Sequence, residues 1–254
     1  MIIYINGDSH SAGAEAAHTA AFAEDDRRYQ HLDRKPHPDN LLVSYGNVLA
    51  NMLNAELVCG AESASSNDRI LRTTLDYLIG DDNATHHTGQ LENKPDLLII
   101  GWATWEREEW FDPDTQRYWQ VNAGGIGHDW PDAIKSKYKS WVIDQMEPEV
   151  INQKLVKVHK TIHHLHCTLT AFEIPHLFFN TYLDFSHLKN LGEEELDWNG
   201  CYINPYDPDY TYFNWLKNRG FQTATRNSYH FKADAHTAWA EFLYANYVQN
   251  LLTK

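Results

Sequence analysis

The stretch "IYINGDSHSAG", residues 3–13, decides the fold that we expect. It begins with an apolar run typical of a buried strand, and Gly7-Asp8-Ser9 follows where that strand ends. Similar runs occur at residues 56–59, 96–101 and 176–181, and amphipathic helical patterns lie between them. Strands that alternate with helices predict a mainly parallel sheet with helices on both faces, so the expected fold class is α/β.

Apolar residues at helical spacing predict helices around residues 45–53, 70–78, 155–169 and 233–252. Two segments do not fit the alternation. Residues 105–150 are rich in Trp, and residues 184–219 are rich in Tyr, Asn and Asp. We interpret both as insertions packed on the active edge of the sheet, within a single domain that spans residues 1–254.

The charge of the chain argues against two classes of partner. A net charge of −14 opposes the phosphate backbone, so we expect neither a nucleic-acid partner nor an anionic membrane partner. Met1 is followed directly by a strand pattern, and no segment approaches the ~20 apolar residues of a membrane span, so we expect a soluble, cytoplasmic protein. Three widely spaced cysteines predict reduced, mostly buried thiols.

In a parallel sheet, ligands bind beyond the carboxyl ends of the strands. This rule brings residues 6–9, 60–67 and 101–107 together. Ser9 is therefore a candidate nucleophile at the start of a helix, where backbone N–H groups can stabilise an oxyanion. The alternative is that Asp8 or Ser9 only caps that helix, and the motif by itself favours the cap.

Four motifs in the sequence favour Ser9 as a nucleophile over Ser9 as a helix cap. The segments "GDSHSAG", "AESASSNDRILRTTLDYL", "LLIIGWATWER" and "NSYHFKADAHTAWAEFL" occur in the order and spacing of the SGNH, or GDSL, hydrolase family. The chain resembles the divergent versions that tailed bacteriophages often encode. The resemblance implies a three-layer α/β/α sandwich with a flavodoxin-like, five-stranded sheet. It also implies a serine esterase that needs neither a metal nor an organic cofactor.

The resemblance assigns the catalytic groups. It makes Ser9 the nucleophile, with its own N–H as an oxyanion donor, and His230 the base, while His236 is a packing residue inside the last helix. Asn227 stands where the family has the acid that orients the base. Because Asn cannot supply a negative charge, a backbone carbonyl, Glu62 or, less readily, Asp234 could substitute, or the site is a dyad.

Two further blocks supply the other oxyanion donors. Ala64 stands where the family has Gly, and its N–H can donate if the loop does not need a positive φ. Asn67 is either an amide donor or a helix cap. Ala103 replaces an Asn donor, so Thr104 is the expected substitute. Loss of one such donor typically costs about 10²–10³ in rate.

Residues near the third strand are candidates for substrate binding. We expect Asp8, Trp102, Trp105 and Arg107 to contact the substrate. The Trp residues, including Trp110, either stack on sugar rings or pack the insertion onto the sheet. Arg107 and its neighbour Glu106 either bind a carboxylate or form a salt bridge that holds the loop, and the bridge is favoured.

His159, His163 and His166 share one helical face at a spacing that zinc can use. No carboxylate or Cys ligand matches that spacing, so a solvated helix face is the preferred interpretation and no metal site is expected.

The function expected from these residues is a serine esterase that removes a small acyl group, such as acetyl, from a carbohydrate or related polar substrate. Its partner is then a small-molecule or glycan ester. One alternative is an acyltransferase on the same scaffold. Another is a non-catalytic carbohydrate-binding or virion protein with a degenerate site, which the departures at Ala64, Ala103 and Asn227 favour.

Overall fold

The computed structural model describes residues 1–23, 34–80, 91–122 and 130–253. The strands in chain order are β1 (Ile2–Gly7), β2 (Glu56–Cys59), β3 (Leu97–Trp102), β4 (Glu108–Asp112), β5 (Arg117–Val121) and β6 (His176–Asn180). The helices are α1 (Pro38–Val43), α2 (Tyr45–Met52), α3 (Asn67–Ile79), α4 (Asp132–Asp144), α5 (Pro148–Ala171), α6 (Tyr212–Asn218), α7 (Ala233–Leu243) and α8 (Gln249–Leu252). A π-helical turn over Tyr244–Val248 joins the last two, so the predicted C-terminal helix is nearly continuous.

The main sheet is parallel, with the strand order β2-β1-β3-β6, which confirms the predicted α/β class. The expectation of five strands is not confirmed, because the described residues form four. Beyond the edge strand β6, where a fifth strand would lie, Tyr202 forms a single parallel bridge to Phe178. Left-handed backbone at Gly200 (φ 77°) and Asn204 (φ 30°) flanks this bridge, so the extended segment is too short to become a strand.

Alternate residues of the strands face opposite sides of the sheet. Ile5 and Ile99 pack with α2, α6 and α7 on one side, whereas Tyr4 and Ile100 pack with α3 and α5 on the other. Strands buried on both faces carry apolar residues at every position, which explains the continuous apolar runs in the sequence. The chain therefore forms three layers, with helices on both faces of the sheet.

The first insertion has a hydrophobic cluster of its own. The antiparallel pair β4 and β5 packs with α4 around four tryptophans, namely Trp110, Trp119, Trp130 and Trp141. Arg72 of α3 forms a salt bridge with Glu109 of β4 at 2.9 Å, which ties this unit to the main layers. Residues 123–129 of the insertion lie outside the described residues.

The segment after β1 is not the helix that we expected. Residues 8–16 form consecutive turns, in which the N–H of Ala14 bonds the carbonyl of Ser9 at 2.9 Å. Gly13 (φ 70°) and Glu15 (φ 62°) both have left-handed backbone, which a continuing right-handed helix excludes.

Two further expectations concern the surface. Within the described ranges, no helix has the length and the apolar character needed to cross a bilayer. The expectation of mostly buried thiols is wrong, because Cys167 is exposed and Cys59 and Cys201 are partly exposed.

His236 of α7 is a packing residue, as predicted. Its imidazole is buried, its Nδ1 accepts a hydrogen bond from the N–H of Tyr45 at 3.3 Å, and its ring lies beside Tyr212. Burial lowers the pKa of His236 to about 3. The neutral form is therefore part of the folded core.

This burial predicts a loss of stability in acid. The folded pKa of His236 is below its unfolded value of 6.5, so its contribution is complete above pH 6.5 and declines as the pH falls towards 3. The slope from one such group is at most about 1.4 kcal/mol per pH unit. In urea denaturation between pH 7 and 5, we expect His236→Asn to lose less unfolding free energy than the wild type, although it starts from lower stability. His164→Asn, at an exposed position of α5, should keep the wild-type slope, and an unchanged slope in His236→Asn would contradict the assignment.

Candidate active site

The loops that follow the parallel strands meet at one edge of the sheet. Gly7 pairs with Gly101 and Trp102 pairs with Asn180, so these strands end at the same level. The Thr181 hydroxyl donates to Asp8 Oδ2 at 3.3 Å, which joins the first loop to the last. A cleft of about 450 Å³ opens at this edge, lined by Asp8, Ser9, His10, Ala21, Ser63, Ala64, Thr104, Glu106, Arg107, Tyr182, Tyr229 and His230.

Ser9 lies in the wall of this cleft and is 6% exposed. Because turns and not a helix follow β1, Ser9 caps no helix. The turn is held by Asp8, whose Oδ1 accepts from the N–H of His10 at 3.0 Å. Within the described parts of the chain, neither the hydroxyl nor the N–H of Ser9 forms a hydrogen bond, so both can act on a ligand in the cleft.

His230 lies at the same cleft and faces a carboxylate that the sequence analysis did not identify. Its Nδ1 is 3.2 Å from Oε2 of Glu15, which is ion-pair distance, although the angle falls short of hydrogen-bond geometry. The Ser228 hydroxyl donates to the same Glu15 oxygen and accepts from the N–H of His230 at 2.9 Å. Ser228 therefore connects the backbone of His230 to the carboxylate.

The charged form of Glu15 is favoured at this position. Partial burial works to raise the pKa of the carboxyl, but the Ser228 hydrogen bond and the His230 contact outweigh it and hold the pKa below its usual value. A carboxylate beside Nδ1 selects the tautomer that has its proton there, and Nε2 is then available as a base.

The other candidates for the acid partner lie elsewhere. Asn227 is exposed, and the group that faces Nδ1 of His230 is the carboxylate of Glu15. Glu62 is fully buried between Arg34 at 2.8 Å and Arg69 at 2.7 Å, so its charge is already neutralised. Asp234 lies in the first turn of α7, where it complements the helix dipole, but the N-cap of that helix is Lys232.

A second histidine lies near His230. The rings of His10 and His230 are 5.3 Å apart between centroids, and His10 is buried. Burial lowers the pKa of His10 to about 4, so it is neutral near pH 7 and adds no competing positive charge.

The loop after β2 does need a positive φ at Ala64, so the condition set in the sequence analysis is not met. Ala64 has a φ of 67°, in the left-handed region that favours glycine. Its N–H forms no hydrogen bond within the described residues and belongs to the cleft wall. Ala64 thus presents the N–H as glycine would, at a backbone cost of about 1 kcal/mol.

Two buried hydroxyls in the cleft wall lack a hydrogen-bond partner among the described residues. These are Oγ1 of Thr104 and Oγ of Ser63. Thr104 was the expected substitute for the donor missing at Ala103, whereas Ser63 was not identified from the sequence. Each therefore has a donor proton that no described group accepts.

Asn67 is not the cap of α3, and it is absent from the described lining of the cleft. Its side chain bonds both backbone groups of Ala103, with Nδ2 donating to the carbonyl at 3.0 Å and Oδ1 accepting from the N–H at 2.9 Å. The N-cap of α3 is Ser66. Asn67 therefore holds the end of β3 against the start of α3.

Arg107 forms its ion pair with Asp8 and not with Glu106. Nη1 of Arg107 lies 3.3 Å from Oδ2 of Asp8 and 3.4 Å from the carbonyl of Ser65. This bridge connects the loops after β1, β2 and β3. Both members line the cleft, and Glu106 lines it without being the partner of Arg107.

The tryptophans expected at the substrate lie outside the cleft. Trp102 is 1% exposed and packs edge-on against Phe178, and Trp105 stacks on Phe185. Both line a second cavity of about 150 Å³ on the other side of Arg107. Trp102 is the last residue of β3 and packs on the α5 side of the sheet, whereas Trp105 lies beyond the strand.

Two tyrosines supply the aromatic surface of the cleft instead. Tyr182 and Tyr229 meet at right angles with 5.8 Å between ring centroids, and Tyr229 is 62% exposed. Tyr229 precedes His230 directly, and this adjacency was the signal in the sequence that could have identified it.

The histidine face of α5 is not the solvated surface that we expected. His159 and His166 are buried, and only His163 of the three is partly exposed. His159 bonds the hydroxyl of Tyr206 at 2.9 Å, while His166 bonds a histidine of β6, His176, at 2.8 Å. The covering segment is the second insertion, which the periodicity of α5 does not reveal.

Comparison with known proteins gives one family and a group of distant structures. A family model described as "Family of unknown function (DUF6071)" matches residues 34–252. No curated protein matches the chain.

Three of the similar solved structures are carbohydrate esterases. One, described as having an active site with divergent catalytic and non-catalytic binding functions, has a TM-score of 0.47 and 12% identity, over 99% of this chain and 66% of its own. A family 2 enzyme from Corynascus thermopiles (Myceliophthora fergusii) has a TM-score of 0.45 and 17% identity, over 100% of this chain and 67% of its own. An acetyl xylan esterase from Butyrivibrio proteoclasticus has a TM-score of 0.41 and 14% identity, over 99% of this chain and 64% of its own. The chain thus spans about two thirds of the length of these proteins.

The conformation of Ala64 yields a stability prediction. Glycine removes the left-handed strain, although it also makes the unfolded chain more flexible, so we expect Ala64→Gly to raise the free energy of unfolding by up to about 1 kcal/mol. Ala61→Gly is the matched control, because Ala61 is buried in the same loop without a positive φ. It should lower the free energy by about 1 kcal/mol in urea denaturation. Equal destabilisation by both substitutions would contradict the role of the backbone.

Proposed function

We propose that this chain, which belongs to the family of unknown function DUF6071, is a serine ester hydrolase. The observation that carries the proposal is the position of His230, which lines the cleft of Ser9 and has the carboxylate of Glu15 against its Nδ1. A hydroxyl, an imidazole and a carboxylate in this relation form the arrangement that activates a hydroxyl nucleophile.

The chemistry follows from the three groups. The Ser9 oxygen attacks the ester carbonyl, while His230 accepts the Ser9 proton at Nε2 and returns it to the leaving alcohol. Glu15 stabilises the imidazolium that forms between these two transfers. Water, activated by the same imidazole, then hydrolyses the acyl-enzyme and restores Ser9.

Three donors of the cleft wall support the negative charge that develops on the carbonyl oxygen. They are the backbone N–H groups of Ser9 and Ala64 and the hydroxyl of Thr104, and none of them has a partner within the described residues. Ala103 contributes no donor, since its N–H is bonded to Asn67. Donors that are already oriented, and shielded from water, stabilise an oxyanion strongly.

The walls of the cleft favour a short acyl group on a polar alcohol. Small side chains, Ala21, Ala64 and Ser63, form part of the wall of the cleft that contains Ser9 and leave room there for an acyl group. The exposed Tyr229 and its neighbour Tyr182 offer ring faces on which a sugar can stack. An acetylated carbohydrate is the substrate that fits these features best.

The test is covalent labelling with a fluorophosphonate, combined with hydrolysis of p-nitrophenyl esters of increasing acyl length. We expect the wild type to be labelled and to prefer acetate, and Ser9→Ala and His230→Ala to lose both labelling and hydrolysis. Ser63→Ala, which removes a second unpaired hydroxyl from the same cleft, should keep labelling. Labelling that survives Ser9→Ala, or a wild type that shows neither reaction, would refute the proposal. Product analysis with a sugar acceptor distinguishes acyl transfer from hydrolysis.

The acid partner gives a second prediction on the same reaction. Glu15→Gln keeps a hydrogen-bond acceptor but removes the charge that stabilises the imidazolium, so kcat should fall by about 10²–10⁴. Asn227→Ala, at the exposed position favoured from the sequence, should change kcat by less than about twofold. Steady-state kinetics on p-nitrophenyl acetate measure both, and a larger loss in Asn227→Ala would reverse the assignment.

A further inference from the structure

Arg107 connects the two loops that contain the backbone N–H donors of the cleft. Its Nη1 donates to Oδ2 of Asp8 at 3.3 Å and to the carbonyl of Ser65 at 3.4 Å. Asp8 immediately precedes Ser9, and Ser65 immediately follows Ala64. A single nitrogen atom therefore joins the chain neighbours of the two residues whose N–H groups form no hydrogen bond within the described residues.

The Asp8 end of this bridge is held by other segments of the chain. Asp8 is 1% exposed, and its Oδ1 accepts a hydrogen bond from the N–H of His10 at 3.0 Å. Its Oδ2 also accepts from the hydroxyl of Thr181, which follows β6. The carboxylate of Asp8 is thus a fixed point at the carboxyl edge of the sheet, to which Arg107 can tie a second loop.

The Ser65 end belongs to a loop that is joined to β1 at its base. There the N–H of Glu62 donates to the carbonyl of Gly7 at 3.2 Å. Arg107 makes the corresponding connection at the other end of the loop, next to Ala64. The left-handed backbone of Ala64 is unfavourable for a residue with a Cβ, and such a conformation persists only where surrounding contacts maintain it.

We propose that Arg107 is a positioning residue, which sets the spacing between the N–H groups of Ser9 and Ala64. The inference rests on the proposed esterase function and adds a residue that acts through the backbone. Two donors stabilise an oxyanion only when both are aligned with the same oxygen. Displacement of one loop by a fraction of an ångström therefore lowers kcat, while the ground-state ester binds almost as before.

A different role for Arg107 is direct binding of an anionic group on the substrate, since its side chain also lines the cleft. A neutral ester distinguishes the two roles. Because p-nitrophenyl acetate carries no charge that a guanidinium could bind, loss of a substrate contact would leave its kcat unchanged, whereas loss of positioning lowers it.

Two substitutions of Arg107 and one matched control form the experiment. Arg107→Met keeps the apolar stem and removes the donors, whereas Arg107→Lys keeps one nitrogen that can donate to both acceptors. Arg72→Met is the control, because Arg72 has the same side-chain exposure, 24% against 25%, and forms a comparable ion pair with Glu109 outside the cleft lining.

We expect Arg107→Met to lower kcat on p-nitrophenyl acetate by about 10–10², with KM within about twofold of the wild type. Arg107→Lys should recover kcat to within about fivefold of the wild type, and Arg72→Met should stay within about twofold. Far-ultraviolet circular dichroism verifies that the variants fold. Should Arg107→Met not fold, Arg107→Gln, which keeps a polar side chain, takes its place with the same expectation.

The substitution also leaves the carboxylate of Asp8 without its ion-pair partner, and a double variant separates this effect from positioning. Asp8→Asn with Arg107→Met removes the charge but not the gap in the bridge, so it should remain as slow as Arg107→Met. Recovery of kcat in the double variant, an equal loss in Arg72→Met, or a wild-type kcat in Arg107→Met would overturn the proposal for Arg107 alone. A wild type without hydrolysis or labelling would overturn the esterase function, and the role of Arg107 with it.

Discussion

The close approach of two glycines at the ends of neighbouring strands positions the groups of the cleft. Gly7 of β1 and Gly101 of β3 are in register, and a Cβ on Gly7 would lie 2.7 Å from the carbonyl oxygen of Gly101. A Cβ on Gly101 would lie 2.6 Å from Oγ of Ser11, which accepts a hydrogen bond from the Tyr45 hydroxyl at 2.9 Å. Because no side chain separates them, the turns after β1 lie directly on the edge of the sheet. The same turns that place Ser9 in the cleft then bring Glu15 to His230.

The buried and half-buried acids around the cleft have separate roles because their partners differ. Asp8 is paired with Arg107, and Glu62 with Arg34 and Arg69, so these carboxylates are neutralised by guanidinium groups that stay charged at any ordinary pH. Glu15 faces an imidazole, whose charge changes during a proton transfer. Of these three carboxylates, only that of Glu15 faces a partner whose charge changes when a proton is transferred, so only Glu15 can stabilise such a change. The structure therefore distinguishes the acids by the chemistry of their partners, not by their distance from Ser9 in the sequence.

Much of the fold follows from sequence periodicity, whereas the site depends on contacts that no periodicity reports. The four parallel strands and the helices α2, α3, α5 and α7 lie where apolar runs and helical spacing predicted them, because each buries a regular face. The cleft and Ser9 follow from the rule that ligands bind beyond the carboxyl ends of parallel strands. Glu15 could not be found in this way, since its orientation results from a left-handed residue inside a series of turns. Trp102 and His159 were misplaced for a related reason, because the layer that covers each side chain comes from distant sequence.

The polar groups without partners also bear on whether the cleft is a degenerate remnant. Oγ1 of Thr104, Oγ of Ser63 and Nδ1 of His10 are buried in its wall and form no hydrogen bond within the described parts of the chain. Each such group costs the folded protein about 1–3 kcal/mol until it gains a partner. An apolar substitution at any of the three positions would remove this cost. The three atoms have almost no accessible surface, so a ligand in the cleft of Ser9 and His230 reaches them only where the wall opens to it. Under the proposed function, the N–H of Ala64, the hydroxyl of Thr104 and the carboxylate of Glu15 compensate for the departures at Ala64, Ala103 and Asn227.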